Sequence, residues 1–166
     1  MNLGLSKNEV KLMPYTSEWN TEFIRVKDEL LKHVDIKANC IEHIGSTAIT
    51  DMVAKPIIDI LVGVDDIEKV DIPFMKALQK VGFLRLKVER PGEIEFAKFT
   101  DDTFEVKTHF IHLVDYDNEL WRNLVFFRDY LNTNEKAREE YKRLKITEYT
   151  NLKEPFVKSI FAKRTN

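Results

Sequence analysis

Four residue types meet in the stretch "EHIGSTAITDMVAKPIIDILV", Glu42 to Val62: a glycine before two hydroxyls, a lysine before a proline, and an aspartate inside an isoleucine run. Gly45-Ser46-Thr47 at the end of a strand lets the backbone approach a phosphate closely, and its N–H groups and hydroxyls can bind phosphate oxygens. Asp59 follows Ser46 by thirteen positions. On a neighbouring strand its carboxylate can hold a Mg²⁺ ion that bridges the same phosphates. A carboxylate beside Ile57, Ile58, Ile60 and Leu61 needs a partner, because burying a bare charge costs several kcal/mol. Metal or Lys55 is the expected partner. The spacing alone also fits an ordinary Gly-Ser-Thr turn.

Further groups lie later in the chain. In "TFEVKTHFIHLV", alternation predicts Phe104, Val106, Thr108, Phe110, His112 and Val114 on one strand face, with Glu105, Lys107 and His109 on the other. Glu95 in "EIEFAKF" is the best-placed additional carboxylate. Arg128 and Lys145 stand beside apolar helical stripes, where a basic side chain can snorkel, form an ion pair or reach a phosphate. Arg128 has Asp129 as a ready structural partner. Glu42 and His43 flank the turn, and strand alternation lets at most one of them face the site.

These groups need elements to hold them. "SEWNTEFIRVKDELLKHV" predicts a helix with Trp19, Phe23, Val26, Leu30 and Leu31 inward and Ser17 as N-cap. "CIEHI" predicts a strand ending at Gly45, residues 47–54 a short helix or loop ending at Pro56, and "PIIDILVGV" a strand buried on both faces. "DDIEKVDIPFMKALQKV" predicts a helix disturbed by Pro73. Three strands follow, with turns at "ERPG" and "TDD", and three helices run from Asp117 to the end. The order is that of a single α+β (mixed α/β) domain over 1–166 with a helical C-terminal lobe, about 117–166.

Composition bounds the partners. Of 166 residues 43% are hydrophobic and 33% charged, the net charge is −2, and there is one cysteine. That excludes an internal disulfide and a Cys-based zinc cluster, and provides no field to recruit DNA or an anionic membrane. From Lys136 onward, nine Lys or Arg face four Glu, a solvated helix face or a basic lobe toward an anion. Its aromatics are not interleaved for single-strand stacking, which argues against DNA or RNA binding. "MNLGLSKNEVKLM" lacks a long apolar stretch and no segment has about 18 uninterrupted apolar residues, so a cytoplasmic location is expected. The common Gly-rich nucleotide loops, the His-Glu-x-x-His zinc motif and the Gly-x-Ser-x-Gly elbow are absent.

"EHIGSTA" and "AKPIIDILV", with "FRDYL" (Phe127–Leu131), Tyr141, Leu144-Lys145 and the opening "MPYTSEWNTEF", together resemble the signature of the GrpB-like family, a branch of the nucleotidyltransferase-fold superfamily. The resemblance runs in order along nearly the whole chain. It implies a nucleotidyltransferase-like mixed sheet flanked by helices, with Gly45 and Ser46 on nucleotide phosphates and Asp59 on a divalent metal. It raises His112 as a site residue, through its likeness to the histidine of the family's strand. Superfamily enzymes usually carry two acids spaced by one residue on the metal strand, whereas this chain has Asp59-Ile60-Leu61. The family's Val-Pro-Gly-Leu turn is also replaced, by Ile49-Thr50-Asp51-Met52, and Asp51 is a further carboxylate there.

The resulting expectation is a Mg²⁺-dependent nucleotidyltransferase, or a related protein that binds a nucleotide or another phosphorylated small molecule. Asp59, Glu95 and His112 are the catalytic candidates, with Asp59 and Glu95 on metal. Gly45, Ser46, Thr47, Lys55, Arg128 and Lys145 are the candidates for the nucleoside triphosphate. An inactive binding module and a partner-binding adaptor are the alternatives.

Overall fold

The structure, a computed structural model, describes residues 1–147 and 153–164. A two-residue strand, β1 (Leu5–Ser6), precedes helix α1 (Glu18–His33), and strands β2 (Ile41–Ile44) and β3 (Ile58–Val64) form an antiparallel pair. Helix α2 (Ile72–Lys80), strands β4 (Leu84–Arg90), β5 (Glu93–Phe99) and β6 (Val106–Asp115), and helices α3 (Glu119–Thr133), α4 (Glu135–Thr147) and α5 (Lys153–Phe161) complete the order. The sheet runs β2-β3-β6-β5-β4, with β1 added to β6. Among the described strands only β3 and β6 pair in parallel, as a crossover through α2 and the β4–β5 hairpin requires. This is the mixed α+β architecture expected.

Alternation divides the sheet into two faces. Ile58, Ile60 and Val62 of β3 and Ile111 and Leu113 of β6 face α1, whose Trp19, Phe23, Val26 and Leu30 complete one core. Fully burying a side chain such as Leu30 contributes about 1.5–3 kcal/mol. Leu31, expected inward, lies at the edge and is 37% exposed. On the opposite face Leu61 and Val114 pack with Ile44 and Trp121, which brings α3 onto the sheet. A third cluster forms the C-terminal lobe, and Ile49 and Met52, from the loop after β2, are plugged into it beside Tyr141. That plug sets the Gly45 turn against α4.

Several expectations change at element ends. The Ser17 side chain makes no cap bond; Thr16 Oγ1 accepts from the Glu18 N–H at 3.2 Å instead. Helix α2 begins only at Ile72, after a separate 3-10 turn at Ile67–Lys69, because Asp71 caps the Phe74 N–H. Pro73 then falls in the first turn, where its missing N–H costs nothing. Strand β6 starts at Val106, past an exposed Phe104 held at φ 57°. No pattern in the sequence hinted at β1. The helix expected through Thr150 is seen to Thr147, and residues 148–150 lie outside the described ones.

Strand β6 departs from strict alternation. The β5–β6 register pairs Lys98 with His109 but Phe99 with Lys107, so one extra residue bulges on β6. Lys107 is thereby turned away from the His109 face, and its ammonium sits 5.1 Å from the Phe110 ring centre. Thr108 fills the bulge, donating to the Lys98 carbonyl at 3.2 Å.

Candidate functional site

At the C-terminal end of β2 the chain turns through Gly45 into a 3-10 turn, Ser46–Ala48. Gly45 has φ 76°, and a Cβ there would come within 2.6 Å of Asp59 Oδ2. Both the backbone conformation and the close approach therefore demand glycine. Asp59 lies directly across from Ile44 and shares its face with Phe110 on β6. It is not among the isoleucines after all. Ile58 and Ile60 face the other core, while the Asp59 side chain keeps 31% exposure.

The structure also sets an imidazole against Asp59. His112 Nε2 lies 3.1 Å from Asp59 Oδ1, and its Nδ1 lies 2.7 Å from Glu93 Oε1 and 3.8 Å from Glu95 Oε1. Burial pulls the His112 pKa down, but hydrogen bonds to Asp59 and Glu93 push it up to about 10. The hydrogen bond from His112 in turn holds the Glu93 carboxyl below its ordinary range. Glu95, 8% exposed, is also 3.7 Å from the Arg90 guanidinium. His112, Glu93 and Glu95 each offer a ligand atom within 4.8 Å of the others. With Asp59 the set holds three carboxylates and one imidazole.

A cavity of about 270 Å³ opens beside this array, lined by Ser46, Thr47, Lys55, Asp59, Lys145 and Phe110 among others. The Lys145 ammonium donates to Ser46 Oγ and lies 5.5 Å from the Tyr141 ring centre, although Lys145 is only 4% exposed. Burial raises the Tyr141 phenol to about 12, partly offset by its hydrogen bond with Ser46. Two residues one turn apart on α4 thus converge on one hydroxyl.

The structure brings Ser46, Thr47, Lys55, Asp59 and Lys145 to one cleft, with Gly45 and His112 against Asp59 and Glu95 behind His112. Arg128 stands apart from the lining residues. Its guanidinium donates to Glu42 Oε2 at 2.7 Å, to the His43 carbonyl at 3.0 Å and to Asp129 at 2.9 Å, clamping α3 to β2. Asp51 is exposed, at φ 62°, and does not line the cleft. Glu93 and Tyr141 were missed as site residues. The Glu93-Ile94-Glu95 spacing, which puts two acids on one strand face, was the available signal for the first. The signals for Tyr141 were its place in the family signature and its i,i+4 spacing to Lys145.

A mixed sheet flanked by helices, with a Gly-Ser turn folded over an aspartate of the neighbouring strand, defines the nucleotidyltransferase-like fold. The likeness extends to the crystal structure of the Cid1 poly(U) polymerase bound to MgGTP, with TM-score 0.54, 13% identity, 80% of this chain covered and 43% of Cid1. The family model for GrpB protein matches residues 9–163, and the chain belongs to the GrpB family. It is 38% identical to glutamate-rich protein GrpB of Alkalihalophilus pseudofirmus over 95% of this chain and 97% of that one. A UPF0157 protein of Halalkalibacterium halodurans is 28% identical over 95% of this chain and 83% of its own. The crystal structure of GrpB from Enterococcus faecalis superposes with TM-score 0.70 at 26% identity, covering 92% of this chain and 96% of that one.

Proposed function

We propose that the chain binds a nucleoside triphosphate in this cleft and, with the help of Mg²⁺, transfers its nucleotidyl group to a nucleophile of an acceptor substrate, with pyrophosphate as the leaving group. One observation carries the reading: two hydroxyls and two lysines line the same cavity as Asp59. Lys145 and Lys55 supply positive charge where phosphate oxygens would sit, and Ser46 and Thr47 supply hydroxyl donors. At about 270 Å³ the cavity suits the phosphate end of a nucleotide, since whole-ligand pockets run to about 300–1,000 Å³.

The donor set fits a hard divalent cation. Glu93 and Glu95, gathered around His112, offer the carboxylate oxygens such an ion prefers, and Asp59 lies across the His112 ring from Glu93. Once bound, the ion would neutralise phosphate charge that develops during displacement at phosphorus. The protein's own part is to orient the phosphates through Ser46, Thr47 and Lys145, and to hold a proton on His112 between Asp59 and Glu93. Arg128 contributes by fixing the strand that carries the turn. A nucleoside triphosphate substrate implies work in the cytoplasm. Among the described residues, no helix is long and apolar enough to cross a membrane.

A second reading, a nucleotide-binding module without transfer, is favoured by Leu61. The position of the usual second acid holds a leucine buried against Ile44, Val114 and Trp121. Thermal unfolding with a panel of nucleoside triphosphates, each with and without Mg²⁺, separates the readings when paired with a pyrophosphate-release assay. A ligand at about 100 times its Kd stabilises by about 2.7 kcal/mol, or roughly 5–10 °C for a domain of this size. The expected result is a Mg²⁺-dependent shift, lost in Asp59→Ala, with pyrophosphate released. A shift without release supports the module, and no shift with any nucleotide removes both.

A further inference from the structure

Beneath the glycine turn lies a histidine that the proposed reaction does not use. The His43 ring stacks on Phe23 of α1, with centroids 4.8 Å apart and planes 9° from parallel, and is 6% exposed. Its Nε2 lies 2.9 Å from Thr47 Oγ1. Thr47 lines the cleft. Burial drives the His43 pKa down to about 4 against the pull of Asp59, so the ring is neutral at pH 7.

A neutral imidazole carries one ring proton, and its place decides what Thr47 offers a ligand. If Nε2 accepts, the Thr47 proton is spent on the ring and the hydroxyl shows the cleft only lone pairs, which suit a cation. If Nε2–H donates, the Thr47 oxygen is satisfied as acceptor and its proton is left for a second partner. An oxyanion held by the lysines favours the second arrangement. Lys55 and Lys145, which line the cleft with Thr47 and Asp59, are donors only, and Ser46 Oγ already accepts from Lys145. A donating Thr47 hydroxyl would join that set of donors around the ligand.

We infer that His43 is a positioning residue: it donates Nε2–H to Thr47 and so makes the Thr47 hydroxyl a donor reserved for an oxyanion of the ligand. The inference rests on the proposed reading of the cleft and deepens it, because it assigns the recognised group as a phosphate-like oxyanion. Stacking on Phe23 fixes the ring plane and the end of β2 fixes its height, so the proton's direction is set before the ligand arrives.

Two measurements test this on the full chain. Long-range ¹H–¹⁵N correlation spectra at pH 7 report the tautomer of each of the four histidines, with His43 assigned by its loss in His43→Phe. The Nε2–H form is expected; the Nδ1–H form or an imidazolium overturns the inference. Calorimetric titration with inorganic tripolyphosphate is then run on wild type, His43→Phe, Thr47→Val and the double variant. Each single change is expected to weaken binding roughly 3- to 10-fold, the size of one neutral hydrogen bond, and the double variant no further. Losses that multiply in the double variant overturn the coupling. His43→Gln, which restores a side-chain N–H, is expected to recover part of the affinity, as a purely structural role would not require. If wild type binds neither tripolyphosphate nor any nucleotide, the proposed function falls and this inference with it. An Nδ1–H ring in a protein that does bind removes the inference alone.

Discussion

Two histidines three residues apart on β6 end up in opposite electrostatic worlds. His109 faces the core under α1, 4% exposed, edge-on to Phe83 and 3.2 Å from Glu22. Burial lowers its pKa to about 4 against the opposing pull of Glu22. His112 faces the cleft between Asp59 and Glu93 and is pushed to about 10. The difference lies in the competition for carboxylates. Glu22 is already bound by Arg25, at 2.5 and 3.0 Å, so its charge is largely spoken for before His109 reaches it. Asp59 and Glu93 both turn to His112, one on each ring nitrogen. A buried imidazole stays neutral beside a shared anion and becomes a cation between two anions of its own. On the core face the polar group is merely satisfied; on the cleft face charge is concentrated.

The sharpest way to break this comparison is to remove the cleft histidine. His112→Ala strands three carboxylates without their cation. It is expected to cost about 2–4 kcal/mol in urea unfolding at pH 7, below the roughly 3–5 kcal/mol of a fully buried pair because the site is partly solvated. Millimolar Mg²⁺ is expected to restore part of that loss in His112→Ala, while stabilising wild type less.

A smaller effect comes from titration, because deprotonating His112 leaves its ring in place. Its folded pKa lies above the unfolded value, so its stabilisation is full below pH 6.5 and lost as pH rises toward about 10. His43 and His109 act in the opposite sense. Their folded values near 4 mean that the unfolded chain takes up protons first, so stability falls as pH drops from 6.5 toward 4. Melting temperature against pH is expected to peak near neutrality. His112→Ala should flatten the alkaline limb and leave the acid limb standing.

The smallest effect is expected from His109→Phe. Glu22 keeps Arg25, and the phenyl ring retains the packing against Phe83, so the loss is about 1 kcal/mol, one neutral hydrogen bond. The acid limb should shrink in the same variant. A loss as large as that of His112→Ala would mean that the two faces do not differ as described.

Much of the fold is legible in the amino-acid sequence. The helical spacing of Trp19, Phe23, Val26 and Leu30, the double-sided apolarity of β3 and the in-order family signature lead to the α+β fold and to the GrpB family. The sequence marks Gly45 as the end of a strand, and there the chain turns at φ 76° over Asp59. Such features are local: a period of 2 or 3.6 residues decides which side chains share a face, and a single turn decides where only glycine fits.

What neighbours what across the sheet is a different matter. Asp59 and His112 are 53 positions apart and meet because β3 and β6 pair in parallel in one particular register. Glu93 joins them only because β5 is the next strand. The bulge at Thr108 swung Lys107 onto the face of Phe110, against strict alternation. Lys145 and Tyr141 reach Ser46 only because Ile49 and Met52 are buried in the helical lobe. The sequence by itself determined most of the elements, most of their inward faces and the turn at Gly45. Tertiary structure decided that His112 meets Asp59, because cross-strand neighbours depend on sheet order and register, set by the burial of the whole core rather than by spacing along the chain.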